Sequence, residues 1–364
     1  MTRSPISFAL RSVNSRACKN RPVRIALDAT YSIGPELTGV GVYSREILHG
    51  LALRHPQARY RFCYRTHKFL KSFGEKLPRG ASRRPFTESW LPAHELFHGL
   101  NQRVPAARTR RCVTTFHDLF VMTGDYSTAE FRQRFTAQAR AAAVRSDLIL
   151  CVSAFTASQV ESLLNVPKQK LRVIHHGVHA PAELPALESR EPIVLSVGSI
   201  QKRKNTARLV EAFEQTRRGW KLVLAGAAGF GAEDIIAQIH RSPRAADIQV
   251  TGYLPLAALH ALYRRASLCA FPSLGEGVGI PVIEAMAWGI PVITSDRSAL
   301  AEISGDAALH VNPDSVEELT QALQTLMDHP GLRRQLAARG KEWAQQFTWD
   351  RAVDATWDAY RELL

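Results

Sequence analysis

Two glutamates, Glu276 and Glu284, stand with seven residues between them in the stretch F-P-S-L-G-E-G-V-G-I-P-V-I-E-A-M-A-W-G-I-P-V-I-T-S-D-R, Phe271 to Arg297. The first lies in a glycine-rich turn and the second in the helix that the turn opens. Gly275, Gly277 and Gly279 leave the backbone bare just before that helix. Unpaired N–H groups at a helix start, with no side chains in the way, suit a phosphate. At about 1.5 Å rise per residue both carboxylates can face one crevice while doing different jobs. Glycines alone are equally those of an ordinary strand–turn–helix; two acids framing them favour a site. A second group is Lys202, Arg203 and Lys204, just before Asn205 or Thr206, either of which can cap the next helix. Such a triplet is either a plain charged loop or counter-charge for an anion. A third is His98 and His117, each at the end of a short apolar strand. The carboxyl ends of strands in an open α/β sheet face the ligand crevice, although a lone strand-end histidine is more often structural.

Periodicity supplies the elements that hold these groups. Ser267–Phe271 and Pro291–Thr294 are short apolar strands, and between them Ile280, Ile283, Glu284, Ala287 and Trp288 recur at helical spacing. Pro281 fits the first turn of that helix and Gly289 its stop. Further strands are predicted at Ile193–Val197, Lys221–Ala225 and Ile248–Thr251, and in the first half at Val23–Asp28, Tyr60–Arg65, Glu95–Gly99, Cys112–Asp118, Leu148–Val152 and Leu171–His175. Helical runs alternate with them: one from about Tyr43 to Leu53 after the turn Thr38–Val42, one over Thr128–Arg145, and one over Ala154–Leu164 capped by Ser153. Strand alternating with helix predicts parallel sheets covered on both faces. Ala180–Pro192, with Pro181, Pro185 and Pro192, reads as a linker between two such units. Two amphipathic helices, Ser315–Asp328 and Gly331–Gln346, and a last one after Phe347-Thr348-Trp349-Asp350 close the chain.

A length of 364 residues suits two domains, and 45% hydrophobic residues is ordinary for a soluble globular protein. No apolar run approaches the roughly 20 residues of a membrane helix. Cys18, Cys63, Cys112, Cys151 and Cys269 are odd in number, scattered, and without metal-ligand spacing; they predict reduced thiols and a cytoplasmic protein. The formal net charge of +14 admits nucleic acid, an anionic membrane surface or phosphorylated small molecules as partners. No recognition motif or basic helix with interleaved aromatics appears, which disfavours nucleic acid. Residues 1–22 carry five cations and no acid and read as a disordered basic leader. From His67 to Arg84, six cations surround Phe69 and Phe73. That segment is either a solvated face or a flank for anionic lipid or an acceptor diphosphate.

The Phe271–Arg297 stretch resembles the E-x7-E signature of the retaining GT-B glycosyltransferases of family 4, and the resemblance extends over essentially everything after the leader. It implies two Rossmann-like domains facing across a cleft: residues 23–180 for the acceptor, 193–347 for a nucleoside-diphosphate sugar, and 348–364 as a helix crossing back to the first domain. It implies that Glu276 touches the donor sugar and Glu284 the nucleotide ribose, with Gly277, Val278, Gly279 and Ile280 beside the donor. Val278 stands where the family commonly has Phe. T-F-H-D-L, with His117, resembles a T-x-H-D-L of mannosyltransferase-like members in which the histidine approaches the donor sugar. G-S-I-Q-K-R-K-N, Gly198 to Asn205, resembles the donor-diphosphate clamp, so that Arg203 and Lys204 neutralise the diphosphate. Other branches carry Arg directly after the glycine, where this chain has Ser199. The T-G-x-G turn assigns Gly39 and Gly41 to the donor phosphates or the acceptor. In H-H-G-V-H, His176 and His179 replace the usual Asn and Asp.

The resemblance thus implies transfer of a hexose, with GDP-mannose favoured and a UDP-sugar the alternative donor, to a glycan or lipid-linked saccharide, with no cofactor or metal required. Reversible contact with anionic membrane is expected, nucleic acid binding is not. A sugar-nucleotide epimerase of the same fold, or a basic binding protein without catalysis, are the competing readings.

Overall fold

The computed structural model describes residues 22–34 and 36–364; the expected leader lies outside these residues except for Pro22. Runs such as Leu148–Cys151 (LILC) and Ala266–Phe271 (ASLCAF) have every residue buried, as strands enclosed between helix layers must. The first sheet has seven strands: β1 (Arg24–Asp28), β2 (Arg59–Arg65), β3 (Ala81–Phe86), β4 (Leu96–Gly99), β5 (Cys112–Phe116), β6 (Leu148–Cys151) and β7 (Leu171–Val173). Its helices are α1 (Gly39–Arg54), α2 (Thr66–Phe69), α3 (Phe120–Thr123), α4 (Ala129–Arg145) and α5 (Ala154–Leu164). The second sheet has six: β8 (Glu191–Val197), β9 (Lys221–Ala225), β10 (Ile248–Val250), β11 (Ala266–Phe271), β12 (Val292–Ser295) and β13 (Leu309–Val311). With it run α6 (Thr206–Glu214), α7 (Ala232–Arg241), α8 (Leu256–Arg265), α9 (Ile280–Ala287), α10 (Ala299–Ser304), α11 (Val316–Asp328) and α12 (Pro330–Ala344), and α13 (Trp349–Arg361) ends the chain against the first sheet.

The strand orders are β3-β2-β1-β4-β5-β6-β7 and β10-β9-β8-β11-β12-β13, with every pairing parallel. These are two Rossmann-like α/β units of the GT-B type. The order reverses between β1 and β4 and between β8 and β11, and ligand crevices open at such reversals, beyond the carboxyl ends of the strands.

Two strands escape the sequence reading. Ala81–Phe86 (ASRRPF) has no apolar run, and its Pro85 is tolerated because β3 is an edge strand; β13 is only three residues long. Helix α1 begins at Gly39, not near Tyr43, because Val42 N already donates to Thr38 O at 2.9 Å. Gly39 and Gly41 therefore belong to its first turn.

The last helix returns to the first sheet. Trp349, Val353 and Tyr360 of α13 share a core with Ile25, Leu27, Tyr60, Phe62, Ile47 and Leu51. Each large apolar side chain so buried contributes roughly 1.5–3 kcal/mol. A buried polar chain accompanies them: His98 Nδ1 lies 2.5 Å from Tyr360 Oη, His98 Nε2 lies 2.8 Å from Thr115 Oγ1, and Thr115 Oγ1 lies 2.9 Å from Tyr43 Oη. His98 is thereby a structural residue with both ring nitrogens engaged. Its burial holds it neutral, with a pKa pushed down to about 3.

Candidate active site

Between Phe271 and α9 the chain turns through Pro272–Gly279, and Glu276 is fixed there from both sides. Its N–H donates to Ser298 Oγ at 3.1 Å and its carbonyl accepts from Ala299 N at 3.3 Å. Ser298 does this at φ 58°, ψ −153°, a region used almost only by glycine. Such backbone costs about 1–3 kcal/mol and persists where the surroundings over-determine it. The Glu276 side chain is buried, and its Oε1 lies 2.6 Å from Lys204 Nζ, 2.6 Å from Ser273 Oγ and 2.9 Å from Arg203 Nη1.

The two cations come from a single 3-10 turn, Lys202–Lys204, after β8. Asn205 secures that turn at φ 59°, but its side chain does not cap α6 as its position suggested. Its Nδ2 instead donates to Pro272 O at 3.0 Å and Pro313 O at 2.6 Å. Arg203 also donates to Gly275 O at 2.6 Å and lies over the Phe120 ring; Lys204 lies over Phe271. Burial works to raise the Glu276 pKa, yet the charges of Lys204 and Arg203 and hydrogen bonds from Lys204 and Ser273 hold it down at about 2. Lys204 is lowered by burial and by repulsion from Arg203, against the pull of Glu276. Loops after β8 and β11, the two strands flanking the reversal, thus put a desolvated cation pair and one carboxylate in the crevice.

The first sheet closes over this group. A Cβ at Gly277 would strike the His117 carbonyl, so only glycine permits the approach. Gly277 O accepts from Ser153 Oγ at 2.7 Å and Thr156 Oγ1 at 3.2 Å. Part of the bare loop therefore meets protein, not open space. His117 Nε2 donates to Leu100 O at 3.0 Å, and the ring packs edge-on to Tyr43. Burial lowers its pKa to about 4, although the Leu100 bond works the other way. Asp118, which the sequence reading passed over, feels Arg203, Glu276 and Lys204; burial raises its pKa most, opposed by Arg203. Its signal was the acid next to a strand-end histidine. From the other domain Glu302 reaches the start of α5, accepting from Ala154 N at 2.8 Å and Phe155 N at 3.0 Å, with His175 Nε2 at 2.9 Å.

Glu284 stands apart from the cation pair. Its Oε2 accepts from Tyr263 Oη at 2.8 Å, and Tyr263 stacks on Trp288. Burial raises the Glu284 pKa to about 7, against the Tyr263 hydrogen bond and the nearby His179. His179 Nε2 is 2.9 Å from Glu46 Oε1 on α1, whereas His176 is buried against Tyr43. Ile280, at the start of α9, faces Gly39 across the cleft, its Cδ1 3.6 Å from where a Gly39 Cβ would stand. Gly41 packs inward on Tyr31 and Leu37, and Val278 is buried. Gly198 runs under the Lys204 side chain, and Ser199 Oγ accepts from Gln201 Nε2 at 2.9 Å. The structure therefore gathers Glu276, Arg203 and Lys204 with Asp118 beside them, brings the His117 backbone against Gly277 while its ring faces Tyr43 and Leu100 O, sets Glu284 with Tyr263, and leaves Gly41 in the interior.

This geometry agrees with what the chain is similar to. The family model for glycosyl transferases group 1 matches residues 183–343, and that for glycosyltransferase family 4 matches residues 54–180. The O-antigen chain mannosyltransferase B of Escherichia coli is 32% identical over 268 residues, covering 69% of this chain and 70% of that protein. The D-inositol 3-phosphate glycosyltransferase of Rhodococcus jostii is 33% identical over 188 residues, 48% of this chain and 41% of that protein. Among solved structures, sucrose-phosphate synthase from Thermosynechococcus elongatus superposes with a TM-score of 0.78 at 20% identity, over 94% of this chain and 99% of that one. Anabaena HepE, in complex with UDP and glucose, gives 0.71 at 15% identity, over 94% and 99%. Sequence kinship through both halves and a shared two-domain fold converge on one conclusion: the chain is a GT-B enzyme that belongs to the glycosyl transferases of group 1.

Proposed function

We propose that the enzyme moves mannose from GDP-mannose, with retention of configuration, to a hydroxyl of a glycan or lipid-linked saccharide in cell-surface polysaccharide synthesis. The observation that carries this reading is the part-buried Arg203–Lys204 pair at the strand-order reversal, balanced by the buried Glu276 at 2.9 and 2.6 Å. As the sugar leaves, negative charge grows on the diphosphate, and preorganised cations in a dry site stabilise that charge better than water does. Glu276 then shares the cations with the donor and holds the sugar hydroxyls. Gly198, Ser199 and the turn into α9, from Gly277 through Val278 and Gly279 to Ile280, line the donor, and Gly39 faces it from α1. His117 meets the sugar as an uncharged imidazole, in keeping with its lowered pKa of about 4. Glu284 accepts the ribose hydroxyls. The leaving phosphate departs and the acceptor attacks on the same face, the phosphate helping to take the acceptor proton. The mannosyltransferase among the relatives supports the donor assignment.

Turnover with GDP-mannose, UDP-glucose and UDP-galactose, followed by NMR of the product's anomeric linkage, tests the whole reading. Release of GDP and an α-linked product are expected. Turnover restricted to UDP-sugars would discard the donor, and an inverted linkage would discard retention.

The same reading includes reversible contact with anionic membrane. Leu70 and Phe73 are 79% and 61% exposed, beside Lys68, Lys71 and Lys76. Each cation near such a surface is worth about 1 kcal/mol, and salt screens it. Binding to anionic vesicles at low salt and release at high salt are expected, whereas equal behaviour on neutral vesicles would remove this part.

A further inference from the structure

At the amino ends of β1, β2 and β3, far from the donor crevice, one sheet face carries arginines instead of a helix. In the parallel register Arg24 pairs with Arg59, Ala26 with Arg61, Arg61 with Ser82 and Cys63 with Arg84. Alternate residues of a strand share a face, and registered residues of parallel neighbours point the same way. Arg24, Arg59, Arg61 and Arg84 therefore project from one side. The opposite side is covered by α1 and α13. A parallel sheet is normally buried on both faces; here the arginine side opens into a cavity of about 530 Å³.

Among the described residues, the charges in this recess do not balance. Arg24 is matched by Glu95, with Nη2 2.6 Å from Oε1 and Nε 3.1 Å from Oε2. Among the described residues, the Arg84 side chain donates only to the Arg83 carbonyl, from Nη1 at 2.8 Å. The side chains of Arg59 and Arg61 have no hydrogen-bond acceptor or ion-pair partner among the described residues, and no acid lines the cavity. Burial lowers the pKa of Arg61 most, and the neighbouring Arg24 and Arg84 lower it further, opposed by Cys63 and Glu95. A tetrahedral anion with several acceptor oxygens can take more than one guanidinium fork at once, which a single carboxylate cannot. The volume is within the roughly 300–1,000 Å³ of small-ligand pockets. Tyr60, the aromatic residue of the lining, is buried with its hydroxyl donated to His55 O, so the recess offers no ring for a nucleobase to stack on.

We propose that this recess is a second anion site, which takes the phosphate or diphosphate group of a ligand other than the sugar donor. The β2 strand is seven residues long, so about 20 Å of chain separates it from the carboxyl-end crevice. Two sources share that chemistry, a soluble phosphate ester and a phospholipid headgroup.

Calorimetric titration with inorganic pyrophosphate tests it, using full-length chain carrying Arg203→Ala and Lys204→Ala to weaken the donor crevice. Adding Arg61→Gln and Arg84→Gln should weaken pyrophosphate at least about tenfold, as the loss of charge-assisted contacts predicts. Removing the same charge through Arg108→Gln and Arg110→Gln, outside the recess, should leave it unchanged. Arg61→Gln alone should give an intermediate loss, and circular dichroism confirms that each variant is folded. Equal affinity in the recess and control variants, or no pyrophosphate binding in the starting chain, overturns the proposal. Flotation on phosphatidic acid vesicles separates the sources: flotation lost with Arg61→Gln and Arg84→Gln identifies a lipid phosphate, and unchanged flotation with weakened pyrophosphate identifies a soluble one.

Discussion

Glu276 and Glu284 are a matched pair in the sequence and opposites in the structure. One is an ionised carboxylate wedged between two cations; the other accepts a hydrogen bond from a tyrosine and has a pKa raised to about 7. On the proposed mechanism Glu276→Gln falls mainly on kcat, because its work is done where charge develops, while Glu284→Ala raises the donor KM about tenfold with less effect on kcat. Steady-state kinetics on both variants decides it, and the reverse pattern would exchange their roles. The Glu276 side chain is also buried. Removing it leaves Arg203 and Lys204 without their counter-ion, so Glu276→Gln should also cost roughly 3 kcal/mol of stability, readable by denaturant unfolding. The pH dependences have opposite signs. Glu284 is raised above its ordinary 4.5, so its contribution is fully present below pH 4.5 and lost as pH rises through about 7. Glu276 is depressed, so its contribution is present above pH 4.5 and lost as pH falls through about 2. Melting curves of Glu284→Gln from about pH 2 to 8 should lack the wild-type decline between 4.5 and 7 while keeping the acid limb below 4.5.

At the scale of elements, the glycine loop is a joint between domains as well as the proposed ligand cradle. Gly277→Ala forces the Cβ against the His117 carbonyl and so holds the sheets apart. A misplacement of about 1 Å can cost 10²-fold in rate, so turnover should fall by about two orders of magnitude while far-UV circular dichroism is preserved. Retained turnover would show that the domains need not meet there. Helix α9 could be read before any coordinates because Pro281, the helical spacing and Gly289 all marked its limits. The strand β3 could not, since S-R-R-P-F shows neither alternation nor an apolar run, and what makes it a strand is the pairing with β2. His117 was legible because its motif is local. The part played by His98 was not, because its partner Tyr360 is 262 residues away. Tyr263 likewise gave no sign, sitting in α8 as one more apolar position until the fold set it against Glu284.

At the scale of the whole molecule, two sheets that share an order over six strands face each other, the first with β7 added at its edge, yet the first is incomplete by itself. Its core includes Trp349, Val353 and Tyr360, which follow the entire second unit in the chain. Arg54 pairs with Asp350 and Asp354, and Arg172 with Glu362, so the attachment is ionic at its rim as well. A fragment of residues 22–190 should expose the apolar surface around Leu27, Tyr60 and Ile47 and bind a hydrophobic dye. Adding a peptide of residues 345–364 in trans should suppress that binding; no effect of the peptide would mean the first sheet closes its core without α13.

That returning helix also fixes an order of events in the cell. Domains generally fold as units while the chain is being synthesised, the N-terminal one first. Here the N-terminal unit must wait, because the residues that finish its interior are translated after about 150 others that form the second unit. For that interval the nascent chain carries an uncovered apolar face, and it is then that a chaperone has most to do.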